Sequence, residues 1–340
     1  MSTKRVTLAD VAARAGVSKT AVSLILNNRP GSRLSEDAVA RVQEAAEALR
    51  YRPNPAARSL RLGRTTTIGF ISDEVTVTRF ASAMIRGLLD VADEHDHGVL
   101  IAETGQHPKR FEDALEFMID RQVEGIAFGS LTARQIDLRP LPATIRTVGV
   151  NCTSDTLQAT VLPAEEVAGR AIAQSLLDAG HRRIAIIGNA PIACSDPRIS
   201  VTIPFRLEGI NAALRDAGVD PVAVLDFEEW EPWHGYDATS ELLRSGTPFT
   251  ALICLNDRIA FGAQQALQKA GLEVPQDVSI ASFDDDEIAS YMRPGLTTAR
   301  LDYEQMGRRA MELLLGTDTP EGQHLVPMEV QVRGSIASLA

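Results

Sequence analysis

The sequence is poor in cysteine and has no long apolar run. Its three cysteines, Cys152, Cys194 and Cys254, lie far apart and are odd in number, and no Cys-x-x-Cys pair occurs. They read as free thiols, mostly in or beside apolar strands, of a cytoplasmic protein. No stretch is long and apolar enough for a membrane span. The opening Met-Ser-Thr-Lys-Arg-Val-Thr-Leu lacks the apolar core of a secretory signal. His-Glu-x-x-His, Gly-x-Ser-x-Gly and Walker-type loops are missing too, and the six histidines are scattered. His181, just before a strand, reads as a structural polar residue. The run Asp284-Asp285-Asp286-Glu287 has no histidine or cysteine nearby. Adjacent acids on one short loop cannot all face one ion, so a solvated loop with one inward acid is expected rather than a metal site. Pairing Asp73 with Asp284 as glycosidase carboxylates finds no other support. Neither an enzyme nor a cofactor is expected.

What remains is an ordinary composition with an uneven charge. The chain has 340 residues, 44% hydrophobic and 23% charged, which suits a globular protein of two or three domains. Residues 1–64 hold 12 lysines and arginines against 5 acids, a net +7, whereas the whole chain is −11, so residues 65–340 carry −18. A small basic head on a large acidic body suggests a polyanion-binding module joined to a body with another task.

The head reads as folded helices. Thr7-Leu8-Ala9-Asp10 resembles a capping box, and Leu8, Val11, Ala12 and Ala15 follow as one apolar stripe. Gly16 tolerates the conformation a tight turn needs. Ser18 can cap a second helix whose Val22, Ile25 and Leu26 share one face, leaving Lys19, Thr20, Ser23 and Leu24 pointing elsewhere. Asn28 to Leu34, with Pro30 and Gly31, reads as a loop. Ser35-Glu36-Asp37 opens a third helix with Val39, Val42, Ala46 and Leu49 as its core face. Two short helices, a glycine turn and a supporting third helix make a helix-turn-helix unit. The basic stretch Arg50–Arg61 follows, with room for about two helical turns over 55–62. So short a helix is marginal alone, and it could order on DNA.

From residue 67 onward apolar runs alternate with amphipathic stretches. Strands are expected at 67–71, 99–102, 125–128 and 147–150, then at 183–187, 222–226, 251–255 and 278–282. Helices are expected at 84–95, 111–121, 165–179, 205–217 and 260–270. Alternation twice over predicts two doubly wound parallel sheets, with a ligand at the strand carboxyl ends in the cleft between them.

These features resemble the LacI/GalR (lactose-repressor) family of bacterial transcription regulators. The likeness is carried by the run Thr7–Ser18, Asn27-Asn28, and Tyr51-Arg52-Pro53-Asn54-Pro55-Ala56-Ala57-Arg58-Ser59-Leu60. In the body it continues in Ala179-Gly180-His181-Arg182-Arg183-Ile184-Ala185, Phe205-Arg206-Leu207-Glu208-Gly209, Leu255-Asn256-Asp257, Phe283-Asp284-Asp285 and Pro294-Gly295-Leu296-Thr297-Thr298. The resemblance implies an all-α helix-turn-helix headpiece (1–52), a hinge helix (53–64) and an α/β periplasmic-binding-protein-like body (65–340). It divides the body into an N-terminal half, 65–162 plus 293–325, and a C-terminal half, 163–292 plus 326–340.

For the head, the resemblance implies a homodimer on a near-palindromic double-stranded operator. Lys19, Thr20 and Leu24 would reach base edges, and Thr7, Ser18, Ser23 and Asn27 would hold phosphates. Leu60, flanked by Ala57 and Arg58, would wedge into the minor groove. Leu24 departs from the arginine common at its position, so operator sequences of arginine-bearing members do not transfer. For the body, the resemblance implies a small-molecule effector, a sugar first and a purine or sugar phosphate second. It would lie on Asp73, Phe80, Asn151, Arg206, Trp230, Asn256 and Asp284, whose polar groups and aromatic faces suit a sugar ring. Asp73 could instead cap a helix, and Trp230 and Trp233 could be core. Pro163 stands where many relatives carry aspartate. No leucine-heptad tail is present, so a dimer is expected rather than a tetramer.

Overall fold

The structure is a computed structural model that describes residues 6–26, 35–51, 65–74, 79–105, 107–317 and 321–339. The chain forms two compact units, one up to Thr66 and one from Thr67.

In the first unit, α1 (Leu8–Ala15), α2 (Lys19–Leu26) and α3 (Glu36–Ala48) pack around Val11, Ala12, Ala15, Val22, Ile25, Val42 and Ala45. The start of α1 is a closed capping box. Asp10 N donates to Thr7 Oγ1 at 3.4 Å, and Thr7 N donates to Asp10 Oδ2 at 2.8 Å. Gly16 ends α1 at φ 67°, a left-handed conformation that glycine adopts without strain. Ser18 Oγ accepts from Ala21 N at 3.1 Å and Ser35 Oγ from Ala38 N at 3.3 Å, so α2 and α3 each begin on a serine cap. The third helix buries Ala38, Val42 and Ala45, with Val39, Ala46 and Leu49 packed beside them. Asn27, the loop residues Asn28 to Leu34, and the hinge residues Ala57, Arg58 and Leu60 lie outside the described residues.

Among the described residues the second unit holds two six-stranded sheets. The first contains β1 (Thr67–Ser72), β2 (Gly98–Glu103), β3 (Gly125–Gln135), β4 (Arg146–Thr153), β5 (Ala159–Pro163) and β11 (Gly322–Val326), in the order β11-β5-β4-β3-β1-β2, all parallel. The second contains β6 (Ile184–Asn189), β7 (Ala223–Asp226), β8 (Ala251–Cys254), β9 (Ser279–Asp284), β10 (Thr297–Arg300) and β12 (Val330–Gln331), in the order β12-β10-β9-β8-β6-β7, with only β12 antiparallel. Helices cover both sheet faces, so the central strand Ala251–Cys254 is apolar and buried throughout. In the first lobe, α4 (Arg79–Glu94) and α12 (Tyr303–Leu315) lie with the core around Phe70 and Met84, and α5 (Pro108–Asp120) with the core around Phe128. The second lobe carries α6 (Glu165–Asp178), α7 (Pro191–Ser195), α8 (Ile203–Asp216), α9 (Pro232–Ser245), α10 (Asp257–Lys269) and α11 (Glu287–Tyr291).

The structure corrects the expected range 293–325. Thr297–Arg300 pairs with β9 of the second lobe, Thr297 opposite Ala281 and Arg300 opposite Asp284. The second crossing therefore falls between β10 and α12, at Leu301-Asp302, not near 292. The strand carries two threonines that are wholly buried, so it lacks the apolar signature that marks its neighbours. The first crossing is at Ala164, where Pro163 ends β5 opposite Val326 and Ala164 N donates to Val326 O at 2.8 Å. The third lies at 327–329, between β11 and β12.

A second difference concerns β3. The sequence ends this strand at Phe128, yet it continues to Gln135 past an irregularity between Gly129 and Arg134. The extension reaches the other lobe. Gln135 N donates to Pro197 O and Val201 N to Ala133 O, both at 2.7 Å.

Candidate functional site

In the headpiece, Ser18, Lys19 and Thr20 are exposed, while Ser23 and Leu24 are half-buried. Thr20 and Leu24 are four residues apart and share a helix face, as do Lys19 and Ser23. Ser18 Oγ takes its cap bond as an acceptor, which leaves its proton for an anionic oxygen. The Thr7 hydroxyl donates to Asp10 Oδ2 at 2.7 Å, so its own proton is already placed.

The body site begins with a helix crossing. A Cβ on Gly169 would lie 2.1 Å from Arg206 O, and one on Gly209 would lie 2.0 Å from Glu166 O. Only glycine at both places lets α6 and α8 touch backbone to backbone. This contact sets Glu165, the first residue of α6, against Arg206 of α8. Both are buried, each 3% exposed. Arg206 Nε donates to Glu165 Oε2 at 2.6 Å, and its second terminal nitrogen donates to Glu165 Oε1 at 2.7 Å and Asp284 Oδ1 at 3.4 Å. Its other terminal nitrogen donates to Leu255 O. The guanidinium carbon lies 4.5 Å from the centre of the Phe283 ring and 5.6 Å from that of Trp230. Glu165 and Asp284 hold Arg206 as a cation although burial opposes the charge.

Asp284 ends β9 at φ 100°, and Asn151, near the end of β4, has φ 57°. Such conformations are costly for residues other than glycine and collect where a site imposes them. Both stand towards the carboxyl ends of their strands, where open α/β sheets bind ligands. Burial pushes the Asp284 carboxyl up to about 6, against the opposing pull of Arg206. Asp257 is wholly buried, and desolvation together with the Asp284 charge drives its carboxyl well above the usual range. Beside Asp284 opens a cavity of about 580 Å³ whose wall includes Phe80, Leu301, Asp302 and Tyr303.

The seven expected effector residues fall into two groups. Arg206, Trp230, Asn256 and Asp284 come together in the second lobe. Trp230 rests partly on the core, with Nε1 donating to Gly188 O at 2.8 Å. Asn256 caps α10 through Oδ1 and donates to Trp230 O at 3.3 Å, so it positions the tryptophan. Asp73 and Asn151 form a first-lobe group around Ser130 and Leu131. Asp73 accepts from Ser130 Oγ (2.9 Å), Leu131 N (3.2 Å), Glu74 N (2.8 Å) and Arg134 (3.2 Å). It therefore ties β1 to β3. Asn151 donates to the Ser130 and Leu131 carbonyls, and its buried Oδ1 has no hydrogen-bond partner. Phe80 meets the Tyr303 ring at 5.3 Å, and the Tyr303 hydroxyl donates to Leu131 O at 3.1 Å.

Glu165, Tyr303 and Arg134 escaped the sequence reading, because each acts through a partner far away in the chain. The acidic run also differs from expectation. Asp285 is paired with Arg300 (2.8 Å) and Arg333 (2.5 Å), and Asp286 caps α11, so the loop is held rather than solvated. Trp233 is exposed and not core. His181 bridges Thr250 Oγ1 (3.0 Å) and Ala337 O (3.1 Å), as a structural residue does.

Residues 7–54 match the family of bacterial regulatory proteins, lacI family, and residues 173–336 match the periplasmic binding protein-like domain. The ribose operon repressor of Escherichia coli is 32% identical over 317 residues, spanning 91% of this chain and 92% of the relative. This chain belongs to the lacI family. The HTH-type transcriptional repressor PurR of Haemophilus influenzae is 29% identical over 98% of this chain and 99% of its own length. A crystal structure of the lac repressor dimer bound to operator and the anti-inducer ONPF superposes with a TM-score of 0.76 at 25% identity, covering 99% of this chain and all of that one. As a lacI-family member the chain is a DNA-binding transcriptional regulator under small-molecule control. Among the described residues no helix is long and apolar enough to cross a membrane.

Proposed function

We propose that the chain is a cytoplasmic, non-enzymatic repressor that binds a near-palindromic operator as a dimer and is switched by a sugar held between its lobes. The arrangement of Arg206, Asp284 and the aromatic rings of Phe80 and Tyr303 carries the effector reading. A carboxylate that accepts hydroxyl protons beside apolar ring faces suits a polyol. On DNA, α2 lies in the major groove with Lys19, Thr20 and Leu24 at base edges and Ser18, Ser23 and Asn27 on phosphates, while Thr7, both of whose donors go to Asp10, fixes the start of α1. Two hinge segments with Ala57, Arg58 and Leu60 enter the minor groove at the operator centre. A coupling of about 3 kcal/mol between cleft and head changes operator affinity about 10²-fold. A purine or nucleoside is the second reading, and the match to PurR favours it.

Selection of genomic fragments by the purified protein, with and without candidate sugars, tests this reading. Enrichment of a palindromic sequence, altered by one sugar, is expected. Equal retention of every fragment and random competitor, under both conditions, overturns it.

A further inference from the structure

Arginine binds phosphate or carboxylate best through two parallel N–H groups, and Arg206 has five N–H donors to give. The edge formed by Nε and one terminal nitrogen is closed by both oxygens of Glu165. The edge formed by the two terminal nitrogens faces Asp284 and Leu255 O. One N–H remains, and it has no parallel neighbour. Two carboxylates face one guanidinium, so the trio is not cationic. Other basic groups nearby also form ion pairs, Arg86 loosely with Glu304 at 3.7 Å. Arg134 is bound to Asp73 at 3.2 Å, Arg300 to Asp285 at 2.8 Å and Arg308 to Glu94 at 3.1 Å. Among the described residues the cavity beside Asp284 is lined by three arginines against five carboxylates. Arg206 thus offers no free pair of parallel donors for an anion, while Asp284 supplies an acceptor beside the ring faces.

We infer that Glu165 determines specificity: by occupying Arg206 it makes the cleft take a neutral, hydroxyl-rich effector and reject phosphorylated or carboxylated ones. This rests on the reading of the cleft as the effector site. Asp284, with one oxygen turned to Arg206, presents the other to ligand hydroxyls. Without the Glu165 charge the Nε edge of Arg206 loses its carboxylate partner, and the trio goes from net negative to neutral.

The test uses the full chain and inorganic phosphate as the probe, with chloride at matched ionic strength, read by calorimetry and thermal shift. Wild type is expected to show no saturable phosphate binding. Glu165→Gln, whose fold is checked by circular dichroism, is expected to bind phosphate at least tenfold more tightly than wild type, and Arg206→Gln in the same background to lose that gain. Neutral mono- and disaccharides are then compared with their phosphate esters on wild type, and the neutral form is expected to bind more tightly in each pair. Saturable, Arg206-dependent phosphate binding by wild type overturns the inference, as does a preferred ester or a folded Glu165→Gln without the gain. Should Glu165→Gln fail to fold, the wild-type phosphate and ester measurements decide. Should no saccharide bind while both phosphate results hold, the role of Glu165 stands and the sugar reading falls.

Discussion

Asp284 is a carboxylate held in a place that disfavours its charge. Its pKa in the fold, about 6, lies above the unfolded value, so the folded protein holds the proton more tightly. Protonation therefore favours folding as pH falls through about 6 towards the unfolded pKa, and ionisation above that range costs stability. Between about pH 7.5 and pH 5 this one group should add about 1.4 kcal/mol to wild type relative to Asp284→Asn. Urea titrations of both proteins at the two pH values check this, and a constant difference would refute it. On the DNA side, replacing Leu24 by arginine adds a side chain able to grip guanine O6 and N7. One base position should then shift towards guanine by about 1–3 kcal/mol in a binding-site selection. Replacing Leu60 by alanine removes the proposed wedge. It should weaken operator binding at least about tenfold and leave effector binding intact, since unstacking a base step needs an apolar side chain. Equal affinity in a titration would refute the wedge.

Helices and strands decide how these residues meet. The close contact of α6 and α8 at Gly169 and Gly209 is what brings Glu165 to Arg206. Gly209→Ala must push the helices apart because its methyl would fall on backbone, at a cost of about 1–3 kcal/mol. A lowered melting temperature with impaired effector binding is the expected result, and an unchanged melting temperature would contradict the packing. Elements with strong periodicity were legible in the sequence. The strand at Ala251–Cys254 and the helices at Glu165–Asp178 and Ile203–Asp216 fall where the pattern sets them. Others were not. Gly322–Val326 is a largely exposed edge strand with little apolar content, and Thr297–Arg300 hides its polar threonines in a sheet. Both depend on partners supplied by the fold. The helix Tyr303–Leu315, by contrast, carries a periodic stripe, with Met306, Ala310 and Leu314 buried.

At the scale of the whole molecule, charge and symmetry govern binding. The +7 head on a −18 body confines attraction for DNA to one unit, and an operator with two-fold character calls for two heads. Operator affinity should therefore fall steeply with salt, by about 0.9 in log K per log salt for each phosphate neutralised. Replacing Lys19 by methionine should reduce both affinity and base discrimination, whereas loss of a phosphate contact alone lowers affinity evenly across sequences. Competition titrations at several salt concentrations separate the two outcomes.

The sequence alone determined the helix-turn-helix head and the two α/β lobes, because local periodicity, capping and turn chemistry act over a few positions; Arg206 and Asp284 were singled out only by the resemblance to the family. Tertiary structure decided the pairing of Glu165 with Arg206, the engagement of Asp73 by Arg134, and the crossing at Leu301-Asp302. Each joins atoms far apart in the chain, and the strength of a buried charge contact depends on burial and geometry that only the assembled lobes create.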